Sequence, residues 1–582
     1  MSITTTRNFI EKSGCGVITG VLLAAIMGLS MASGNCNNNA PGTTTPQDQG
    51  PAIVTVGDTK ITALMIDAVA KDDLNNRERQ IRNQLQGKPF EGFNSLQTAQ
   101  FFRDSFGSAV DGAINIQMAK EAGVALEDSA ILEKFMNEVT TQISQFRQQL
   151  TQSGQLPANA TEEQYLAKFR EVAGGKTPNE IISENRTMLA DRLKNPNLAV
   201  PLKGQGAQML WIEKEEGLTK VSDAELDTIF DTVNLKSIVL NEAPRQNRTP
   251  EAEKILADIK SGKITFEAAM DQYSEKPLPK DKKKQSETTD MLAWQFLLTD
   301  PNYGVLKTLK PGEVSAVIPG VDGPIIYKLI NVKKDNKPAD FATNKEFYRT
   351  NHKKFMANTK FFRLQREARE KLPKFNDEGY KALYSDYLLE RDPILSQDYL
   401  KIVEDTAKLT TNGPAIIARL LAGNRVWRSL SGEAKTKFED THYIPSVENF
   451  LNSNGPNPSL NMNLVDMFAA RKSAKAGEQL LAASVSNTSL SDIGKAMHDR
   501  ITKRLGELKA AGLIKEDIAA QVQANLERWS KDKKQMDEQA AAAAAKDAAD
   551  RAKNEAAMKA EKEAAAGKGK ALPDSKSLLE PR

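Results

Sequence analysis

Three histidines (His352, His442 and His498), two cysteines (Cys15 and Cys36) and a scatter of serines are the raw material for nucleophilic or metal chemistry in this 582-residue chain. Their spacing favours neither. A Ser–His–Asp arrangement would have to draw on three widely separated histidines. Both cysteines lie near the N-terminus, which leaves the folded domains no disulfide framework and no cysteine-based metal site. No Gly-rich phosphate loop follows a plausible strand. Net charge is +3 and charged residues make up 27%, with the two signs interspersed, so no nucleic-acid field is expected. No cofactor and no metal are expected either. The chemistry must then come from apolar pockets and placed hydroxyls.

Val221–Lys334 is the segment whose elements could build such a pocket. Ser222-Asp-Ala-Glu225 has the form of a capping box, in which a hydroxyl and a carboxylate satisfy the first free amides of a helix. Leu235-Lys-Ser-Ile-Val-Leu240 is a short apolar run of strand type. Thr249-Pro250-Glu251 opens a helix that Ser261-Gly262 ends, the fixed φ of Pro250 suiting its first turn. A second helix covers Phe266–Tyr273, and the basic loop Lys276–Lys284 follows. Then come Leu292-Ala-Trp294, Lys310-Pro-Gly-Glu-Val-Ser315 and the strand Gly323-Pro-Ile-Ile-Tyr-Lys-Leu329.

In order and approximate spacing, Glu253–Lys260, Tyr273-Ser-Glu275, Leu292-Ala-Trp294, Pro311-Gly-Glu-Val-Ser315 and Ile326-Tyr-Lys-Leu329 resemble the parvulin (rotamase) domain of peptidyl-prolyl isomerases. The resemblance implies a small antiparallel sheet flanked by helices and, as activity, proline cis–trans isomerisation. It also locates the chemical positions. Where the family carries histidines, in the first and last strands, this chain has Ser237 and Ile325; where it carries Cys or Asp after the Tyr-Ser pair, this chain has Lys276. By the same alignment, Leu298 and Tyr303 (or Asn302) line the proline pocket with Trp294 nearby, and Ser237 and Ser315 supply hydroxyls. Rotation about an X–Pro bond crosses a barrier of ~20 kcal/mol set by amide resonance. A catalyst needs no covalent step, only stronger binding of the twisted amide than of the planar one. Two readings follow: a pocket that still accelerates isomerisation, and one that only recognises peptide. Lysines at the mouth would favour an acidic peptide, or would simply form a solvated loop.

The N-terminus speaks to compartment. Arg7 and Lys12 precede Val17–Met31, which carries no charge, and the next charged residue is Asp48. That is the order of an export signal. The segment 1–34 is expected to be a signal peptide cleaved near Ala32-Ser33-Gly34, or an uncleaved membrane anchor if 14–34 spans. Lipidation at Cys36 is the third route, though Asn35 is not the small residue a lipobox wants. All three place the bulk of the chain outside the cytoplasm, in a periplasm or cell envelope.

Residues 35–51 read as a flexible linker. Ala52–Val56, Gly57-Asp58 and Lys60–Thr62 suggest a hairpin, with Thr62 capping the next helix. Phe106, Val110, Ile114 and Met118 form one stripe of a helix over Leu96–Ala122 that Gly123 stops, and Ile131, Phe135, Val139 and Ile143 repeat the spacing. Thr161–Gln164 and Thr177–Glu180 are further capping boxes. This hairpin and helix set, with Ala119-Lys-Glu-Ala-Gly-Val-Ala-Leu-Glu-Asp128, resembles the N-terminal chaperone domain of SurA-, PpiD- and PrsA-type foldases, over 52–215. The resemblance implies unfolded, proline-containing client chains as partners and contact between 52–215 and helices beyond Phe341.

The expected architecture is multidomain and mainly α, with one α+β parvulin-like domain at 221–335. A helical domain at 341–530 shows no fixed-period repeat. An Ala/Lys/Glu-rich helix and loose tail at 531–582 read as a spacer. The functional expectation is an extracytoplasmic folding factor; the alternative is a non-catalytic envelope scaffold whose isomerase unit has degenerated.

Overall fold

A computed structural model describes residues 50–84, 93–173, 175–240, 248–275, 288–296, 301–320, 323–334, 336–391 and 399–568. The proposed signal or anchor, Cys36, nearly all of the linker, Lys276 with its basic run, Leu298 and the tail beyond Lys568 lie outside these residues. The chain is mainly helical with small antiparallel sheets, and it divides into two units, 1–453 and 454–582. No described helix is long and apolar enough to cross a membrane.

The first unit begins with β1 (Ala52–Val56) and β2 (Thr59–Thr62), joined through Gly57 at φ +55°. Thr62 then accepts from the Met65 amide at 3.4 Å, capping α1 (Ala63–Gln84). α2 (Ser95–Glu121) starts at a complete capping box between Asn94 and Gln97. It buries Phe106, Val110, Ile114 and Met118 and stops at Gly123, φ +67°. α3 (Asp128–Gln152), α4 (Glu162–Val172) and α5 (Pro178–Lys194) share one core that includes Ile131, Phe135, Val139, Ile143, Phe169 and Leu189. Thr161 with Gln164 and Thr177 with Glu180 make both halves of their boxes. α6 (Ala199–Leu218) crosses α2 where two glycines meet: a Cβ on Gly204 would stand 2.2 Å from Gly112 Cα.

Short α7 (Asp223–Leu226) leads to the second sheet, of order β4-β3-β6-β5, from β3 (Thr232–Val239), β4 (Thr289–Leu292), β5 (Ile318–Gly320) and β6 (Gly323–Lys333). Alternation along β3 splits the core in two. Ile238 and Leu240 pack with α8 (Thr249–Lys260) and α9 (Phe266–Tyr273) on one face. Val233 and Leu235 pack with Phe296, Leu306, Ile318 and Leu329 on the other, beneath 3-10 turns at Ala293–Gln295 and Pro301–Thr308.

α10 (Lys345–Lys371) then returns to the helical body, and β7 (Lys374–Phe375) pairs with β1, Val54 opposite Phe375. The sheet is therefore an insertion into a body that both flanks build. Polar ties hold that body. Asp111 of α2 accepts from Arg369 Nη2 (2.7 Å) on α10 and from Tyr384 and Tyr387 (2.9 Å each) on α11 (Glu378–Arg391). Arg103 donates to Asp386 at 2.8 Å, with both side chains buried. Asp386 also lies 3.4 Å from Arg425 of α13 (Gly413–Ser429), which packs on α12 (Tyr399–Asp405). Helices α14 (Gly432–Phe438) and α15 (Ile444–Asn454) follow.

The second unit holds α16 (Pro458–Ala470), α17 (Lys475–Ser486), α18 (Asp492–Ala510) and the 53-residue α19 (Glu516–Lys568). Ala519, Val522, Leu526 and Trp529 bury the start of α19. From Lys531 onward its described side chains are almost all exposed.

Candidate functional site

β3 and β6 run antiparallel with Ser237 opposite Tyr327 and Val239 opposite Ile325. The segment preceding β5 closes the group: Ser315 donates its amide to Tyr327 O (2.8 Å), and its hydroxyl accepts from Tyr327 N (3.0 Å) while lying 2.6 Å from Ala316 O. Ser237 and Ile325 therefore lie near one another at one end of the sheet, with Ser315 bonded to the Tyr327 that faces Ser237. Ser315 is only 1% exposed and its hydroxyl is engaged by backbone, so it fastens strands together. Ser237 is buried too, while Ile325 is half-buried against Gly320. The turn after α9 docks at the same end: Ser274 Oγ accepts from Val239 N (3.2 Å), and Glu275 N donates to Val239 O (2.8 Å). Arg248 at 2.6 Å holds the Glu275 carboxylate.

Trp294 does not join this group. It follows β4, whose Leu292 pairs with Thr232, and Ala293 N donates to Asp231 O at 2.7 Å. That puts Trp294 beside the start of β3, six residues from Ser237, or roughly 20 Å at ~3.3 Å per strand residue. Its ring meets Phe355 of α10 edge-on at 4.7 Å. Asn302 and Tyr303 lie in the 3-10 turn Pro301–Thr308, and their side chains are outside the described residues.

Around Trp294 is a cavity of about 290 Å³, bounded by Glu225 of α7, Ile229 in the turn after it, both middle strands (Val233, Leu329), the 3-10 turn (Leu306, Lys307) and His352 of α10. His352 is 6% exposed, with Nε2 3.3 Å from a Glu225 carboxylate oxygen. Burial holds the imidazole below its ordinary value, against the pull of Glu225. In sequence His352 is only one of three widely separated histidines, and it lies beyond Val221–Lys334. The sequence pattern reads Glu225 as the second half of a capping box. Ser222 does accept from Glu225 N at 3.1 Å, but the Glu225 side chain turns to His352 instead. Next to it, Arg349 binds Asp223 and the Val221 carbonyl, and Phe230 meets both Phe341 and Tyr348 edge-on. No cluster of three or more His, Cys, Asp or Glu that could hold a metal occurs among the described residues.

No family model matches the chain, and no curated protein matches it. Among solved structures, the chain is similar to the peptidylprolyl isomerase PrsA of Bacillus anthracis (17% identity, 46% of this chain and 97% of that one, TM-score 0.21). It is also similar to the foldase protein PrsA of Streptococcus pneumoniae (16%, 58% and 98%, TM-score 0.18). A third likeness is to a structure described under the Campylobacter jejuni SurA-like chaperones PEB4 and Cj1289 (13%, 56% and 99%, TM-score 0.15).

Proposed function

We propose that this protein is an extracytoplasmic folding factor that holds extended, unfolded polypeptide, using a parvulin-type sheet as a peptide-recognition module. One observation carries the reading: a four-stranded antiparallel sheet in the order β4-β3-β6-β5, backed on one face by α8 and α9, inserted into a helical body. The other face carries a buried apolar cluster of Leu235, Phe296, Leu306 and Ile318 beneath the 3-10 turns. At the end where the family resemblance expects imidazoles stand Ser237 and Ile325, and the Ser315 hydroxyl is held by backbone. Apolar burial can grip a chain there, but few polar groups are placed to favour a twisted amide over a planar one. That balance supports recognition over turnover. The export-type N-terminal sequence supports action outside the cytoplasm. Added at stoichiometric amounts, the full chain should suppress aggregation of several chemically unrelated unfolded proteins. No suppression would favour the envelope-scaffold alternative.

A further inference from the structure

The helical body holds a second cavity, of about 470 Å³, within the range of ligand sites. α2 and α6 meet α10 and α11 around it, so segments from both sides of the inserted sheet build it. Two rungs tie α2 to α10 at its wall, spaced four residues apart along each helix. Arg369 with Asp111 forms one, and in the other Gln365 Nε2 donates to Asn115 Oδ1 at 2.6 Å. Asn115 and Gln365 are each only 5% exposed. Their bond leaves the Asn115 Nδ2 donor and the Gln365 Oε1 acceptor with no partner among the described residues. Neither atom is sealed inside protein, and both residues line the cavity. Buried polar groups cost stability unless something bonds them. A donor and an acceptor held side by side are the complement of one peptide unit, whose C=O accepts and whose N–H donates. α6 adds Gln205 and Gln208, two more side-chain amides without a hydrogen bond among the described residues.

The charged groups argue against an ionic ligand. Three carboxylates and three guanidinium groups line the cavity and balance. Asp111 pairs with Arg369 and Asp72 with Arg192, Asp73 accepts from the Ser105 hydroxyl at 2.6 Å, and Arg391 lies over the Tyr387 ring. Leu202 and Phe362, the latter 51% exposed, supply apolar surface. We propose that this cavity binds the main chain of an uncharged, extended polypeptide stretch, with Asn115 and Gln365 clamping one peptide unit. The inference rests on the polypeptide-holding reading and deepens it, adding a site in the helical body that reads backbone rather than side chains.

Anisotropy on the full chain tests this with a fluorescent, end-capped Val-Ser-Val-Ser-Val peptide and the same peptide N-methylated at its three central residues, which removes their N–H donors. Asn115→Leu combined with Gln365→Met replaces both amides by apolar groups of similar shape, so neither is stranded. Gln205→Phe narrows the cavity at a side chain with no partner to lose, and so tests the site even if the double variant does not fold. The wild type should bind the parent peptide about tenfold more tightly than the N-methylated one, and added salt should leave that ratio unchanged. Each variant should bind the parent about tenfold more weakly, and the double variant should no longer distinguish the two peptides. No binding to the wild type, equal binding of the parent by wild type and variants, or a preference that the double variant keeps would each overturn the clamp. Loss of the preference at high salt would assign the site to its charged groups and overturn it too. The aggregation assay separates failures: a wild type that suppresses aggregation but ignores N-methylation leaves the folding-factor reading standing while the clamp falls.

Discussion

At the residue scale, the substitution of both expected imidazoles sets the first prediction. Ser237 and Ile325 leave the sheet end poor in polar groups, so the full chain should not raise the rate of prolyl isomerisation above background in a protease-coupled assay. A tenfold acceleration would restore the enzymatic reading. His352 gives a pH prediction with a definite sign. Its folded-state value is depressed below the ordinary 6.5, so the unfolded state binds the proton more tightly. The stability it contributes is therefore complete above about pH 6.5 and declines as pH falls from there toward the folded value. The joint between the sheet and α10 should loosen on acidification, seen as a change in Trp294 emission that His352→Gln removes. Neither His352 nor the fate of the Glu225 carboxylate was legible beforehand. Sequence shows the local half of Ser222–Glu225, but the competing partner lies 127 residues away. The surroundings of Trp294 were equally out of reach: its motif is local, while Phe355, which meets its ring, lies on a helix beyond the unit.

Elements were legible wherever one residue pattern decides them. The capping boxes at Thr161 (with Gln164) and Thr177 (with Glu180), the four-residue stripes of α2 and α3, and the Gly57 turn each have a local cause. What pairs with what has no such cause. β7 is two residues long and carries no strand signal, yet it closes the first sheet against β1. The crossing of α2 on α6 likewise depends on two glycines far apart in sequence. Because a Cβ on Gly204 would stand 2.2 Å from Gly112 Cα, Gly204→Val should force the helices apart and lower stability by about 3 kcal/mol, read by thermal or denaturant unfolding. Asp111→Ala should do as much or more, about 3–5 kcal/mol, because it strands the buried Arg369 guanidinium together with two tyrosine hydroxyls.

Over the whole molecule, both flanks of the inserted sheet build one body, so client grip and sheet position share a scaffold. The second unit is a separate case. Trp529 is the last buried side chain among the described residues of α19, and those described beyond it are almost all exposed, so removing residues 535–582 should leave the melting of unit 1 unchanged. The central claim is that extended polypeptide is held by the inserted sheet and the elements around it. Hydrogen–deuterium exchange of the full chain, with and without a permanently unfolded client, addresses it directly. Slower exchange in β3, β6, the 3-10 turn Pro301–Thr308 and the first half of α10 is the expected result. Unchanged exchange across all four, under conditions where the client is bound, would contradict it.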